Sequence, residues 1–231
     1  MATIQPRTKP SDPDLDELRA SIAQMGGLAE AAIAEAMRAL VRRDAAAARV
    51  VIANDRKIDA LEAEVEARAV RVIAHGALEP LELREAVAAL RIAGVVERIG
   101  DYAKNIAKRV AALEQAPDLA AMSLLPEMAR IAGELVRAAL DAFVVRDPEG
   151  AARVCARDRA VDDFHNAIFR LLQACMMEDP RNLAAATHLL FVAKNLERIG
   201  DHATNIAEMV HFAASGVRLA ERERGADPTA G

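Results

Sequence analysis

The chain has 231 residues, with 30 Lys and Arg against 35 Asp and Glu, for a net charge of −5. Hydrophobic residues make up 53% but aromatics only 3%, with no Trp, which excludes most sandwiches and barrels, whose strands want rings, β-branched residues and frequent turns. An acidic chain lacks the overall basic field of a nucleic-acid binder, and two cysteines, Cys155 and Cys175, make no disulfide framework.

Pro6, Pro10 and Pro13 mark residues 1–13 as a disordered start. The opening MATIQPRTKPSDPD has no apolar core of the signal-peptide kind. No uninterrupted apolar run reaches the ~18 residues of a membrane span, so the reading is a soluble, intracellular protein. Apolar residues every three or four positions predict six helices, over 14–42, 45–75, 81–115, 122–145, 149–177 and 182–214. Asp44 before the second, and Asp147-Pro148 before the fifth, read as acidic N-caps, the latter with proline at the first helical position. Gly216 reads as the final stop, and 217–231, ending GADPTAG, as a disordered tail.

The helices fall into two sets of three because the chain repeats. VERIGDYAKNIAKRV at 96–110 returns as LERIGDHATNIAEMV at 196–210, one hundred residues on. Pro80 and Pro180 keep that offset. Upstream it becomes 103, pairing Met25 with Met128, Arg43-Asp44 with Arg146-Asp147, and Asp55…Asp59 with Asp158…Asp162. The slip of three falls in the connection AHGALEP, a place where loop length is tolerated. The fold expected is all-α, two tandem pseudo-symmetric three-helix bundles over 14–116 and 117–216, with helices about 45 Å long.

On the third helix Ile92, Val96, Ile99, Ala103, Ile106 and Val110 form a packing seam, while Glu97, Asp101 and Asn105 stack four apart on another face. That stripe is predicted to face away from the seam, toward solvent or a partner. The sixth helix repeats it as Glu197, Asp201 and Asn205. On the second helix Asp55 and Asp59 stack four apart, with Glu62 and Glu66 beyond, and the fifth repeats the pair as Asp158 and Asp162, with His165 replacing Glu62. Each unit thus owns D-x-x-x-D on one helix and E-x-x-x-D on the next, and antiparallel packing would bring four carboxylates to one exposed patch.

Carboxylates at that density raise one another's pKa, and a bound cation relieves the repulsion more completely than a flanking arginine such as Arg98 or Arg198. Oxygen-only ligands suit hard ions such as Mg²⁺, Ca²⁺, Mn²⁺ or iron. An isolated E-x-x-x-D is ordinarily a solvated surface; recurrence of both pairs in both halves weighs against that here. So do Gly100 and Gly200, since a mid-helix glycine costs about 1 kcal/mol relative to alanine and calls for a close approach. His165 is a further ligand candidate beside Asp162. Lys104 and Lys108 read as solvated surface.

VERIGDYAKNIA and LERIGDHATNIA resemble the paired signatures of the PhoU family, bacterial regulators of phosphate uptake and signalling. LRASIAQMGGLAEAAI, DRKIDALE, PLELREAVAAL and LLFVAKNLERIGDHATNIAEMV extend the likeness from about Leu15 to Gly216. The resemblance implies a non-enzymatic protein with multinuclear metal clusters (iron, zinc, manganese or magnesium) on the bundle surface. Carried over residue by residue, the ligands it implies are Asp55, Asp59, Glu97 and Asp101 in one half, and Asp158, Asp162, Glu197 and Asp201 in the other. Asn105 and Asn205 match the signature as well. Tyr102 against His202, and Glu62 against His165, are differences between the two clusters.

The implied function is cytoplasmic negative regulation, linking the ATPase subunit of the high-affinity phosphate ABC transporter to a phosphate-responsive sensor histidine kinase. The resemblance further implies a homodimer, with no nucleic acid and the membrane met only through partners. Two rivals stand beside it. One is a metal-free helical interaction module whose acidic faces bind a basic partner. The other is a di-metal carboxylate enzyme, which wants Glu-x-x-His pairs pointing into the bundle core; Glu208 and His211 fit that spacing, but the first half has Lys108 and Ala111 instead.

Overall fold

The computed structural model describes residues 13–75 and 78–219. The expected disordered ends fall almost wholly outside the described residues, as do Gly76 and Ala77 in the connection that takes up the slip of three. Among the described residues every regular element is helical: α1 Pro13–Arg42, α2 Ala45–Asn54, α3 Arg56–Ala74, α4 Pro80–Leu113, α5 Leu125–Val145, α6 Pro148–Arg157, α7 Arg159–Glu178 and α8 Leu183–Ser215. Short 3₁₀ turns at Ala120–Ser123 and Pro180–Asn182 lead into α5 and α8. The ends agree with the sequence reading to within a few residues. The predicted second and fifth helices, however, are each interrupted by one residue, Asp55 and Asp158.

The apolar spacing explains the packing. α1 buries Leu15, Leu18, Ile22, Met25, Ala29, Ile33, Ala36 and Leu40 along one stripe. The α4 seam is fully buried as predicted, and α8 buries Val192, Leu196, Ile199, Ala203, Ile206 and Val210. Each buried Val, Leu or Ile contributes roughly 1.5–3 kcal/mol of transfer free energy. The many alanines between them let helix axes approach closely.

Helices α1 and α4 pack along each other, as do α5 and α8; α4 then lies along α8 and α1 along α5, so both halves share one core. Arg84 Nε donates to the Ala213 carbonyl at 3.1 Å, Tyr102 meets His202, and Arg109 stacks 4.6 Å over Phe191. Numbers rise along one helix as they fall along the other, so α4 and α8 run antiparallel and cross near Gly100 and Gly200. The short pairs α2–α3 and α6–α7 cover the flanks, against α1 and α4 and against α5 and α8.

The corners repeat too. Arg43 and Arg146 both end a helix in the left-handed region, at φ 55° and 57°. Each is followed by an aspartate N-cap; Asp44 accepts from the Ala47 amide at 2.9 Å. One feature breaks the symmetry. Glu85 of α4, 4% exposed, accepts from Arg19 of α1 and from Arg146 at 2.6 and 2.9 Å, tying three helix segments together. The equivalent positions in the second half hold Ala185 and Met122 in place of Glu85 and Arg19.

Candidate functional site

Each interruption falls on an acidic site residue. Asp55 and Asp158 keep helical dihedrals (φ −51°, ψ −41° and φ −57°, ψ −36°), but i+3 bonds enter the ladder: the Asp55 carbonyl accepts from Ile58 at 2.8 Å as well as from Asp59 at 3.3 Å, and the Asp158 carbonyl accepts from Val161 at 2.9 Å. Both side chains turn inward, 6% and 8% exposed. A Cβ added at Gly100 would stand 2.8 Å from Ile58 Cδ1 and 3.3 Å from Asp55 Oδ1; at Gly200 it would stand 3.2 Å from Val161 Cγ1 and 3.4 Å from Asp158 Oδ1. The glycines thus admit the flank helix and its carboxylate against the central helix, which is the close approach their mid-helix positions required.

The structure brings each set of four carboxylates together. Burial pushes Glu97 up, and Asp101, Glu62, Asp59 and Asp55 add to it in that order. Asp59 is likewise raised, by burial and then by Asp55, with Lys104 opposing. In the second half Asp162 is pushed up to about 6, by burial first and then by Asp158, Asp201, Glu197 and Asp163. The stripe is not simply solvent-facing: Asp55 and Asp158 are buried, Glu97, Asp101, Asp162 and Glu197 half-buried, and Asp59 and Asp201 exposed. Each patch lies where the flank helix packs on the central one, α3 on α4 and α7 on α8, beside the glycine.

The other candidates lie as follows. His165 lies buried in α7, 7% exposed. Asn105 Oδ1 accepts from Lys108 at 3.4 Å, and Asn205 meets His202 at 3.4 Å. His211 Nδ1 lies 3.0 Å from the Val217 carbonyl, just beyond the end of α8.

Two features escaped the sequence reading. Lys104, expected to be solvated, binds Asp55 Oδ2 at 2.5 Å and Asp101 Oδ1 at 2.8 Å, hydrogen bonds that raise its pKa above the usual lysine range. The spacing Asp101-x-x-Lys104 was visible as a helical i,i+3 pair, but Asp55 reaches it only through packing. The second is a stack on the pseudo-two-fold axis: the rings of Tyr102 and His202 lie 5.4 Å apart, with 3.2 Å between Tyr102 Oη and His202 Nε2. Arg198 sits 5.8 Å over the Tyr102 ring. Burial, then Arg98 and Arg198, hold the His202 imidazole below its ordinary pKa.

The donor chemistry of the patches is oxygen-only, fitting hard cations. Lys194 Nζ lies 2.8 Å from each Glu197 carboxylate oxygen, yet only Oε1 has hydrogen-bond geometry, and Oε2 is buried without a hydrogen bond. Among the described residues no three His, Cys, Asp or Glu donors are gathered around one point, so the patches are open groups of carboxylates and not closed cages.

Duplicated three-helix units with a carboxylate groove on each flank define a class of all-helical scaffold proteins. The family model of the PhoU domain matches this chain twice, at residues 22–110 and 125–210. The chain therefore belongs to the PhoU family. It is 47% identical over 219 residues to a phosphate-specific transport system accessory protein PhoU homolog of Zymomonas mobilis, covering 95% of this chain and 92% of that one. A homolog of the same description from Caulobacter vibrioides is 46% identical, covering 89% and 90%. The crystal structure of PhoU from Pseudomonas aeruginosa superposes with a TM-score of 0.83 at 31% identity, covering 88% of this chain and 98% of that one. These relatives are named as accessory proteins of the phosphate-specific transport system. Among the described residues no helix is long and apolar enough to cross a membrane.

Proposed function

We propose that this protein is a cytoplasmic negative regulator of phosphate uptake and of the phosphate-starvation response. It acts as a metal-binding helical adaptor, a homodimer, between the ATPase subunit of the phosphate ABC transporter and a phosphate-responsive sensor histidine kinase. One observation carries the reading: the same four-carboxylate groove stands at equivalent places in both halves of a chain whose relatives are named for phosphate-specific transport. Asp55, Asp59, Glu97 and Asp101, and Asp158, Asp162, Glu197 and Asp201, are the ligands. A bound cation relieves their mutual repulsion and offers open coordination positions to an oxygen donor on a partner.

The test is elemental analysis by mass spectrometry on protein purified without an affinity metal, beside the variant Glu97→Ala, Asp101→Ala, Glu197→Ala, Asp201→Ala. Metal retained by the wild type and lost by the variant, with the helical circular dichroism unchanged, supports the clusters. The same variant is expected to fail to restrain the phosphate-starvation response when returned to a deletion strain grown in ample phosphate. A metal-free docking module is the second reading, and Lys104 favours it for the first groove. Near-zero metal in both proteins, with partner binding indifferent to chelator, would select it.

A further inference from the structure

Helices α4 and α8 are covered on one side by α1 and α5 and on their flanks by α3 and α7, which leaves a strip open where Tyr102 meets His202. Arg91, Arg98, Tyr102 and Arg109 line it from α4, at helical steps that keep to one face. Phe191, Arg198 and His202 repeat those steps on α8. The two rows meet over the seam: Arg198 lies over the Tyr102 ring, and Arg109 lies over Phe191 with Nη1 3.4 Å from His188 Nδ1. From Arg91 to Arg109 the strip is about 27 Å long at the rise of an α-helix. Val95 and Asn105 on α4 and Asn195 on α8 fill the steps between. The strip thus holds four arginines and no carboxylate, in a chain whose acids outnumber its bases.

The α1–α5 side is built differently, since Arg130 and Arg137 of α5 pair there with Glu127, Glu134 and Glu30. Among the described residues none of the four strip arginines pairs with a carboxylate; Glu62 of α3 feels the charge of Arg98 without an ion pair. Arg91, Arg98 and Arg198 are exposed, and Phe191 is 49% exposed although large and apolar. Arginine, tyrosine and phenylalanine are the side chains enriched where proteins dock.

We propose that this strip is the docking surface for an acidic helix of a partner protein, its carboxylates set against Arg91, Arg98, Arg198 and Arg109 and an apolar residue against Phe191. This rests on the adaptor reading above and not on its metal. Two packed helices with axes about 8–10 Å apart leave a groove one helix wide, and a helix of about 18 residues spans its length. Glu97 and Asp101 bound it on the α3 side, and Glu197 and Asp201 on the α7 side. A nucleic-acid duplex or a bilayer is broader and would set its own phosphates against those carboxylates. A single acidic helix keeps within the basic strip.

The experiment measures binding of the full chain to the purified ATPase subunit and to the full-length sensor kinase in detergent, by biolayer interferometry. At least one of them is expected to bind the wild type, and to bind it more weakly as salt rises. Arg98→Glu with Arg198→Glu is expected to weaken that binding at least about tenfold, with helical circular dichroism unchanged. Arg98→Lys with Arg198→Lys, which keeps the charge, is expected to lose less, and Arg49→Glu on α2 to lose nothing. A photo-crosslinking p-benzoylphenylalanine in place of Phe191 reads the same surface without altering its charge. Mass spectrometry is expected to place its crosslink in a helix rich in Asp and Glu. Equal binding by the wild type and the charge-reversed pair would overturn the docking surface and leave the adaptor reading standing. A crosslink to a segment without an excess of carboxylates would overturn the acidic helix. Binding of neither protein would overturn both readings. Duplex DNA or phosphatidylglycerol vesicles bound by the wild type and lost by the charge-reversed pair, with the two proteins bound equally by both, would give the strip to a polyanion and overturn the protein partner.

Discussion

The first and second halves place the same helices around the same acids, yet neutralise charge differently. In the first half, a lysine spans Asp55 and Asp101, and two arginines share the buried Glu85. In the second, the equivalent positions are Thr204 and Ala185, both buried, and Asp162 is pushed up to about 6. A duplicated backbone thus tolerates two solutions at one place: an ionic clamp or apolar packing, an internal ammonium or a neutral hydroxyl. Helix geometry depends on the apolar seam, which both halves keep. The counter-charges depend on single side chains, which can change without moving a helix.

The comparison is broken hardest at Glu85. Glu85→Ala removes the buried carboxylate that Arg19 and Arg146 share and is expected to cost about 3 kcal/mol in urea unfolding. Because Ala185 and Met122 show the apolar alternative, the pair Arg19→Met with Glu85→Ala is expected to cost less than the sum of the single changes.

Asp162 is next. Its folded-state pKa lies above its unfolded value, so its contribution favours folding fully below about pH 4 and is lost as pH rises through about 6. In EDTA the wild type is therefore expected to lose stability across that window. Asp162→Asn should remove the loss and gain about 1 kcal/mol at neutral pH, a figure discounted for solvent screening. Asp59→Asn is expected to gain less, because Lys104 already opposes the upward shift there.

Smaller still are the glycines. Gly100→Ala and Gly200→Ala each gain about 1 kcal/mol of helix propensity and lose a similar amount in displacing Ile58 or Val161, so the net change should stay within about 1 kcal/mol. Manganese retention by the Gly200→Ala protein is the more sensitive readout, since Asp158 Oδ1 is also in contact there.

The smallest expected effect is at the axis. Arg98→Ala should raise the His202 pKa toward its ordinary value, followed by NMR titration. Because that pKa is depressed in the folded state, protonating His202 costs stability as pH falls below the unfolded value, and the variant should soften that loss.

Much of this was legible in the chain. The internal offset, the α4 and α8 seams, the Asp44 cap and the pairing of acids across helices all follow from periodicity, because a helical stripe is a local property. Glycine at 100 and 200 signalled a close approach, and Ile58, Val161 and the two aspartates supply it. The breaks at Asp55 and Asp158 were not legible, since both residues keep helical dihedrals and carry no proline or glycine. Nor was the burial of those side chains, which packing of the flank helices against Gly100 and Gly200 decides.

By itself, the sequence determined an all-α duplicated scaffold, its seams, and which eight carboxylates stand in two matched sets, because spacing along a helix fixes which residues share a face. Only the tertiary structure decided what those carboxylates meet. Lys104 lies 49 positions from Asp55 and Tyr102 one hundred from His202, so both contacts form only when separate helices pack. Burial, which sets the charge behaviour of Asp162 and Glu97, likewise arises from neighbours that no local pattern names.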